Sequence, residues 1–360
     1  MNIVYFIRDI TDCGGIQQTT CLTINALMER YPDCNITVIS LINKYKTPFF
    51  PIHKGVKHKV LFQDAVDTKR QCWHIRKKLN SVLQGIKADI LIVQGTAFSV
   101  YLTDYSWKNF KVIVCEHGHY YMGRRFGLHW FGKRCALKRA RAIIALTESD
   151  ANNYARRKKR DLIIQKIYNP CVLPPNETQA YQPASKTIVS CGSLDEVKRF
   201  DHAIEASKAV FQKHPDWNWV IYGDGKERDH LQKMIDDYGL QNHVKLMGYE
   251  KDKKIIYEDK AFLVLTSKFE GFGMVLIEAM QYHLPLISYD IHYGPQEIIC
   301  NNVNGYLIQD GNVANLAEKI DYLICTPEKR SQLSLNCSSI LQRFSMDCVV
   351  EQWLCLFHSL

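Results

Sequence analysis

Two carboxylates, Glu270 and Glu278, stand eight residues apart in FEGFGMVLIEAM (269–280), with Gly271 and Gly273 between them. The stretch follows the apolar run AFLVLTS and holds no proline, so a strand hands over to a helix at the glycines. Glycine lets the backbone turn sharply and removes the side chain that would hold a ligand away. The first amides of the helix lack intrahelical partners and attract anions, phosphate above all. Were every intervening residue helical, the carboxylates would lie about 12 Å apart, comparable with a nucleotide sugar from ribose to hexose. One acid can accept both ribose hydroxyls, as an acidic residue does in dinucleotide folds. The other can meet hydroxyls of the sugar. Either glutamate alone is better read as a helix cap or an exposed helical residue; the pair with its glycines reads as a site.

Other polar or glycine-rich loops also follow apolar runs. Gly14 and Gly15 come after NIVYFI, Glu116 and His117 after KVIVC, GSLDEVKR after TIVSC, and GDGKER after WVIY. The runs are apolar throughout and alternate with helix-length segments such as QQTTCLTINALMER and DHAIEASKAVFQKH. That pattern implies parallel sheets covered on both faces, whose ligands sit beyond the carboxyl ends of the strands. Five such loops on one rim favour an active cleft over a scaffold. At 360 residues the chain is long enough for two domains. The segment IYNPCVLPPNETQAYQPASK, with four prolines and no long apolar run, reads as the linker between them. The expected architecture is α/β: two Rossmann-like domains, 1–170 and 171–345, facing each other across a cleft.

Composition narrows the class. An apolar fraction of 46% and a charged fraction of 23% are those of a soluble globular protein. No run approaches the roughly 20 apolar residues of a membrane span, and Arg8 and Asp9 interrupt the apolar start too early for a signal peptide. Thirteen scattered cysteines, odd in number and without a Cys-x-x-Cys pair, suggest reduced thiols in a cytoplasmic protein. The net charge of +9 is unevenly spread. Met1–Ala180 holds 28 Lys and Arg against 13 Asp and Glu, and the remainder holds 18 against 24. The basic excess concentrates in GRRFGLHWFGKRCALKRARA (123–142) and ARRKKRD (155–161). Such segments suit nucleic acid, an anionic membrane leaflet or merely water. Phe126, Trp130 and Phe131 among the cations favour an interfacial surface.

Glu270 and Glu278 form the Glu-x7-Glu pattern of the retaining glycosyltransferases of family 4, which the chain resembles over essentially its whole length. Also similar are EAMQYHLPLISYDIHYGPQEIICNNVNGYLI, GSLDEVKRFD, CEHGHYY and the Gly14-Gly15 loop. CEHGHYY and YGPQEII most resemble bacterial enzymes of capsule, lipopolysaccharide or lipid-linked oligosaccharide synthesis. The resemblance implies a GT-B fold in which a C-terminal helix, 346–360, packs back on the first domain. It implies transfer of a hexose or N-acetylhexosamine from a nucleotide sugar, UDP-linked, to a growing polysaccharide, lipopolysaccharide or lipid-linked oligosaccharide. The acceptor would dock on the first domain and the donor on the second. Rivals are a GDP-mannose-dependent mannosyltransferase of the same fold and a sugar-nucleotide epimerase, which lacks the glutamate pair. A nucleic-acid-binding protein leaves the glycines and glutamates unexplained.

The resemblance also assigns roles. Lys198 matches the family's phosphate-binding lysine. Ser193 stands where the family usually has an arginine, so a fixed charge is missing unless Arg199 or a first-domain arginine supplies it. The amides of Gly14, Gly15, Gly271, Phe272 and Gly273 would approach the donor, and Gly223 and Met247 mark the loops that would hold its base. His117 would orient a sugar hydroxyl. Catalysis would fall to His117, Lys198 and Glu270. Front-face attack, with the leaving phosphate taking the acceptor's proton, is favoured over Glu270 as a covalent nucleophile. The chain has no Asp-x-Asp, so cations and helix termini would stabilise the leaving diphosphate without metal or cofactor. Closure over the donor would exclude water. The expected partners are the nucleotide sugar, a glycan or lipid-linked glycan and an anionic membrane surface, but not nucleic acid. The expected place is the cytoplasm, peripheral at the inner face of its membrane.

Overall fold

A computed structural model describes residues 1–158, 161–171 and 181–360. Lys159 and Arg160 of the second basic run, and Pro174 and Pro175 of the linker, lie outside the described residues. Two compact units result: Met1–Pro170 with Met346–Leu360, and Cys171–Ser345.

The first unit is built on a seven-stranded sheet. Its strands are β1 (Asn2–Ile7), β2 (Asn35–Ile42), β3 (Lys57–Phe62), β4 (Ile90–Gln94), β5 (Lys111–Cys115), β6 (Ala142–Ala145) and β7 (Ile163–Lys166). They lie in the order β3-β2-β1-β4-β5-β6-β7, every pair parallel. The central strands are buried on both faces, as their unbroken apolar runs require; all five residues of ILIVQ in β4 are buried. The helix Gly15–Arg30 covers one face, and beside it packs the C-terminal helix Met346–Ser359. That last helix places Val349, Val350, Trp353, Leu354, Leu356 and Phe357 in the same core as Ile3, Tyr5 and Ile24. Arg30 ties the two helices together, pairing with Asp347 and, at 3.3 Å, with Glu351.

The second unit has six parallel strands: β8 (Thr187–Cys191), β9 (Asn218–Tyr222), β10 (Val244–Gly248), β11 (Phe262–Leu265), β12 (Leu286–Asp290) and β13 (Gly305–Gln309). Their order is β10-β9-β8-β11-β12-β13. The helix Phe200–Lys213 shows how the layers fit. Phe200, Ala203, Ile204, Ser207, Val210 and Phe211 recur at helical spacing on its buried side. The chain enters and leaves this unit side by side, since the Cys171 amide donates to the Phe344 carbonyl at 2.8 Å. All thirteen cysteines are free thiols, and among the described residues no helix is long and apolar enough to cross a membrane.

In each sheet the strand order reverses once, between β1 and β4 and between β8 and β11. Loops leaving the carboxyl ends on either side of such a reversal diverge and open a crevice. Each sheet thus designates its own binding edge.

Candidate functional site

In the second unit the reversal brings the loop after β8 against the loop after β11. Asp195 shapes the first: its Oδ1 accepts from the amides of Val197 (3.0 Å) and Lys198 (3.2 Å). The Lys198 side chain lies over Gly192, where a Cβ would stand 3.2 Å from Lys198 Cε. Its Nζ reaches Glu270 Oε1 at 2.6 Å, and the Ser267 hydroxyl donates to the same oxygen at 2.6 Å. The two loops are laced by Thr266 Oγ1 donating to the Lys198 carbonyl (2.7 Å) and by the Lys268 amide donating to that of Val197 (2.7 Å). Lys198 and Glu270, 72 residues apart, form one ion pair with side chains 18% and 11% exposed.

Within the second unit, Ser193 and Arg199 are both already engaged. The Ser193 hydroxyl is given to Asp195 Oδ2 at 2.6 Å. Arg199, in the left-handed region at φ 48°, spends its guanidinium on the carbonyls of Thr266 and Ser267 and on Asp310, and lies over the Tyr289 ring. It ties strand ends together. Lys198 is therefore the cation that the β8 loop offers to a ligand.

Beyond Glu270 the turn is as tight as the glycines imply. Gly273, at φ 93°, precedes the helix Met274–Gln281 as its N-cap. Phe272 is turned inward, 3% exposed, with its ring 5.8 Å from that of Phe344. Its side chain packs the turn. Glu278 is buried on the helix, and its Oε2 accepts from Lys253 Nζ (2.8 Å) and the Tyr257 hydroxyl (2.9 Å). Burial opposes the Lys253 charge, but the carboxylate outweighs it and holds the ammonium above its ordinary value. Lys253 and Tyr257 escape sequence reading: one sits in the polar run EKDKK and the other in a short apolar one.

The loop after β9 presses on the same edge. A Cβ on Gly223, at φ 139°, would lie 1.8 Å from the Gly192 carbonyl oxygen, so only glycine fits. The Gly223 amide donates to the Gly248 carbonyl at 2.8 Å, and Met247 beside it is half-exposed. This rim presents backbone edges and one thioether.

In the first unit, Gly15 begins the helix after β1 and Gly14 caps it, both exposed and neither at positive φ. Asp9 braces their loop by accepting from the amides of Thr11 and Lys44, each at 2.7 Å. After β5, Glu116 is buried and fully engaged with Thr96 Oγ1 (2.9 Å), the Tyr154 hydroxyl (2.6 Å) and the Gly118 amide (3.1 Å). It fastens the loop. His117 Nε2 meets Gln94 Oε1 at 2.5 Å, an arrangement in which Nε2 donates. Burial pulls the ring down to about 4, so it is neutral, and the buried Nδ1 has no hydrogen-bond partner among the described residues. Near it, Asp150 accepts from the Tyr120 amide at 2.7 Å, while burial, reinforced by Glu116, pushes its carboxyl up to about 7.

Residues 177–337 match the family model described as glycosyl transferases group 1. Over 356 residues the chain is 28% identical to an uncharacterised glycosyltransferase of Haemophilus influenzae, covering 98% of each. Over 163 residues it is 36% identical to the poly(ribitol-phosphate) α-N-acetylglucosaminyltransferase of Staphylococcus aureus, 45% of this chain but 33% of that one. Among solved structures, a variant of S. aureus TarM in complex with fondaparinux, α-GlcNAc-glycerol and UDP superposes with a TM-score of 0.78. That likeness, at 18% identity, covers 99% of this chain and 100% of the other. It shows the GT-B fold, and the second unit carries the group 1 glycosyl transferase pattern.

Proposed function

We propose that the chain is a retaining glycosyltransferase of the family 4 type. It moves a hexose or N-acetylhexosamine from a UDP-sugar to a cell-surface glycan or lipid-linked saccharide, without a metal ion. The observation that carries this reading is the Lys198–Glu270 pair (2.6 Å) at the β8/β11 reversal, beside the glycine-capped start of the helix Met274–Gln281. The group 1 family match over the second unit and the UDP in the TarM structure support it.

The chemistry follows from the side chains. As the anomeric bond breaks, negative charge grows on the diphosphate. The Lys198 ammonium and the unpaired amides at the helix start stabilise it there more than in the ground state. Glu270 keeps Lys198 aimed and offers its carboxylate to sugar hydroxyls. Glu278, steadied by Lys253 and Tyr257, takes the ribose, and the rim of Gly223 and Met247 takes the base. His117 is neutral, so its Nδ1 accepts a hydroxyl hydrogen and cannot serve as a cationic acid at neutral pH. No side chain in this set stands out as a nucleophile, in keeping with a leaving phosphate that deprotonates the acceptor itself. The ring of Phe126, 62% exposed with Arg125 stacked on it, favours a second element, a peripheral contact with an anionic leaflet.

A panel of UDP- and GDP-sugars, read by thermal shift and by hydrolysis in the presence of a chelator, tests the reading. Stabilisation and cleavage by a UDP-sugar are expected, with the anomeric configuration retained in the product. Cleavage of GDP-mannose alone moves the donor assignment, and C2 or C4 inversion without transfer makes the protein an epimerase. Restoration of activity only by magnesium or manganese ends the metal-free mechanism.

A further inference from the structure

The helix Leu128–Arg139 buries only Gly132 and Ala136. A Cβ on Gly132 would stand 2.1 Å from the Thr96 carbonyl oxygen, so this helix lies flush on the turn Thr96–Tyr101 and its remaining faces turn outward. With the preceding loop and Arg157 they enclose a concavity of about 970 Å³. Six lysines and arginines line it, with no aspartate or glutamate.

Three of those cations already hold protein partners: Arg139 with Asp104 at 2.5 Å, Lys133 with the carbonyls of Tyr120 and Met122, and Arg157, through one nitrogen, with the Asn153 carbonyl at 3.3 Å. Arg125, Arg134, Lys138 and Arg157 have no carboxylate partner among the described residues. Some cations elsewhere in the unit are paired, as in Lys166–Glu148 at 3.2 Å. Like charges gathered in a hollow repel one another until an anion enters. Aromatic rings support the guanidiniums: Arg134 lies 4.8 Å over Trp130 and Arg157 4.9 Å over Tyr120. Stacking in this way leaves N–H edges for paired bonds to phosphate. The hollow is also joined to the candidate site of this unit. Tyr120 lines it and packs 4.9 Å from Tyr154, whose hydroxyl holds Glu116, the neighbour of His117.

We propose that this concavity docks the acceptor, and that the acceptor is a phosphodiester-linked polyol or sugar chain. Its phosphates pair with Arg125, Arg134 and Arg157, and its carbon faces lie on Trp130 and Tyr120. Calling the bound chain an acceptor rests on the glycosyl-transfer reading; the anion site itself does not. A leaflet presents a plane of headgroups to a protruding surface, whereas a hollow of this volume suits a chain that enters it.

The probe is a synthetic glycerol-phosphate hexamer, titrated by calorimetry onto the full chain at about 150 mM salt, where exposed charges are largely screened. The hexamer binds, and Arg134→Gln with Arg157→Gln weakens it roughly a hundredfold, about tenfold per guanidinium. UDP affinity does not change. If the double variant fails to fold, Arg134→Lys with Arg157→Lys keeps the charge, loses the planar fork and is expected to bind about tenfold more weakly. Undiminished binding in the folded variants overturns the proposal. So does association confined to vesicles of equal phosphatidylglycerol and phosphatidylcholine, which would make this a membrane contact. Tighter binding of an oligogalacturonate of equal charge also defeats the phosphate assignment. Failure of the unsubstituted chain to bind UDP would count against the transfer reading and not against this site, which the hexamer alone decides.

Discussion

At the scale of single side chains, Lys198 and Glu270 depend on each other. The Glu270 carboxylate, 11% exposed, meets an ammonium and a hydroxyl on one of its oxygens. Lys198→Ala removes the cation proposed to meet the diphosphate and leaves the acid without its ion-pair partner. Donor cleavage should fall about 100-fold or more in kcat/KM, with a lower melting temperature. Adding Glu270→Gln should recover the melting temperature and leave the activity lost. Undamaged turnover in Lys198→Ala would remove the phosphate assignment. Asp150 gives a second test. Its carboxyl is raised to about 7 from 3.8, so the native state holds that proton more tightly than the unfolded chain. The stability it contributes is full below the unfolded value and is lost as pH rises through about 7. His117 acts oppositely, adding stability as pH rises from about 4 through 6.5, and so offsets part of the decline near pH 6. Melting temperature should therefore decline from pH 6 to 8, and Asp150→Asn should flatten that decline. An unchanged slope would place the titration on another group.

At the scale of elements, one glycine sets the geometry of the turn before the helix Met274–Gln281. Gly273 sits at φ 93°, where a side chain costs about 1–2 kcal/mol. Gly273→Ala should lower stability by that amount in denaturant titration and weaken UDP binding in calorimetry. An alanine variant with full affinity would show that the turn's shape does not matter to the ligand. This handover was readable from residue types, because glycines between an apolar run and an amphipathic one leave few alternatives. The inner strands were readable for the same reason. The edge strands of the first sheet were not: β3 is KHKVLF with its first three residues exposed, and β7 is half-buried throughout, so neither shows a strand's apolar run. Strand order was equally hidden. Periodicity states that β8 and β11 exist but not that they are neighbours, and that adjacency is what joins Lys198 to Glu270. The fates of Arg199 and Ser193 depend on the same tertiary placement. A chain position next to a site does not reveal whether a donor is already spent on Asp310 or Asp195.

At the scale of the whole molecule, the chain leaves its first unit at Pro170 and returns to it at Met346. Stopping the chain at Ser345 would strip Trp353, Leu354 and Phe357 from a core that also holds Tyr5 and Ile24. Loss of even one large core side chain costs about 3–5 kcal/mol, and here six go together. The truncated protein should lose the first unit's melting transition while the second, Cys171–Ser345, still melts cooperatively; two intact transitions would show the last helix to be dispensable. The same connectivity governs birth on the ribosome. The inserted unit is finished and free to fold while the sheet begun first still waits for its closing helix, which is made after that unit. Until then that older half exposes an apolar groove, and the cell's holding factors should find this protein there during synthesis.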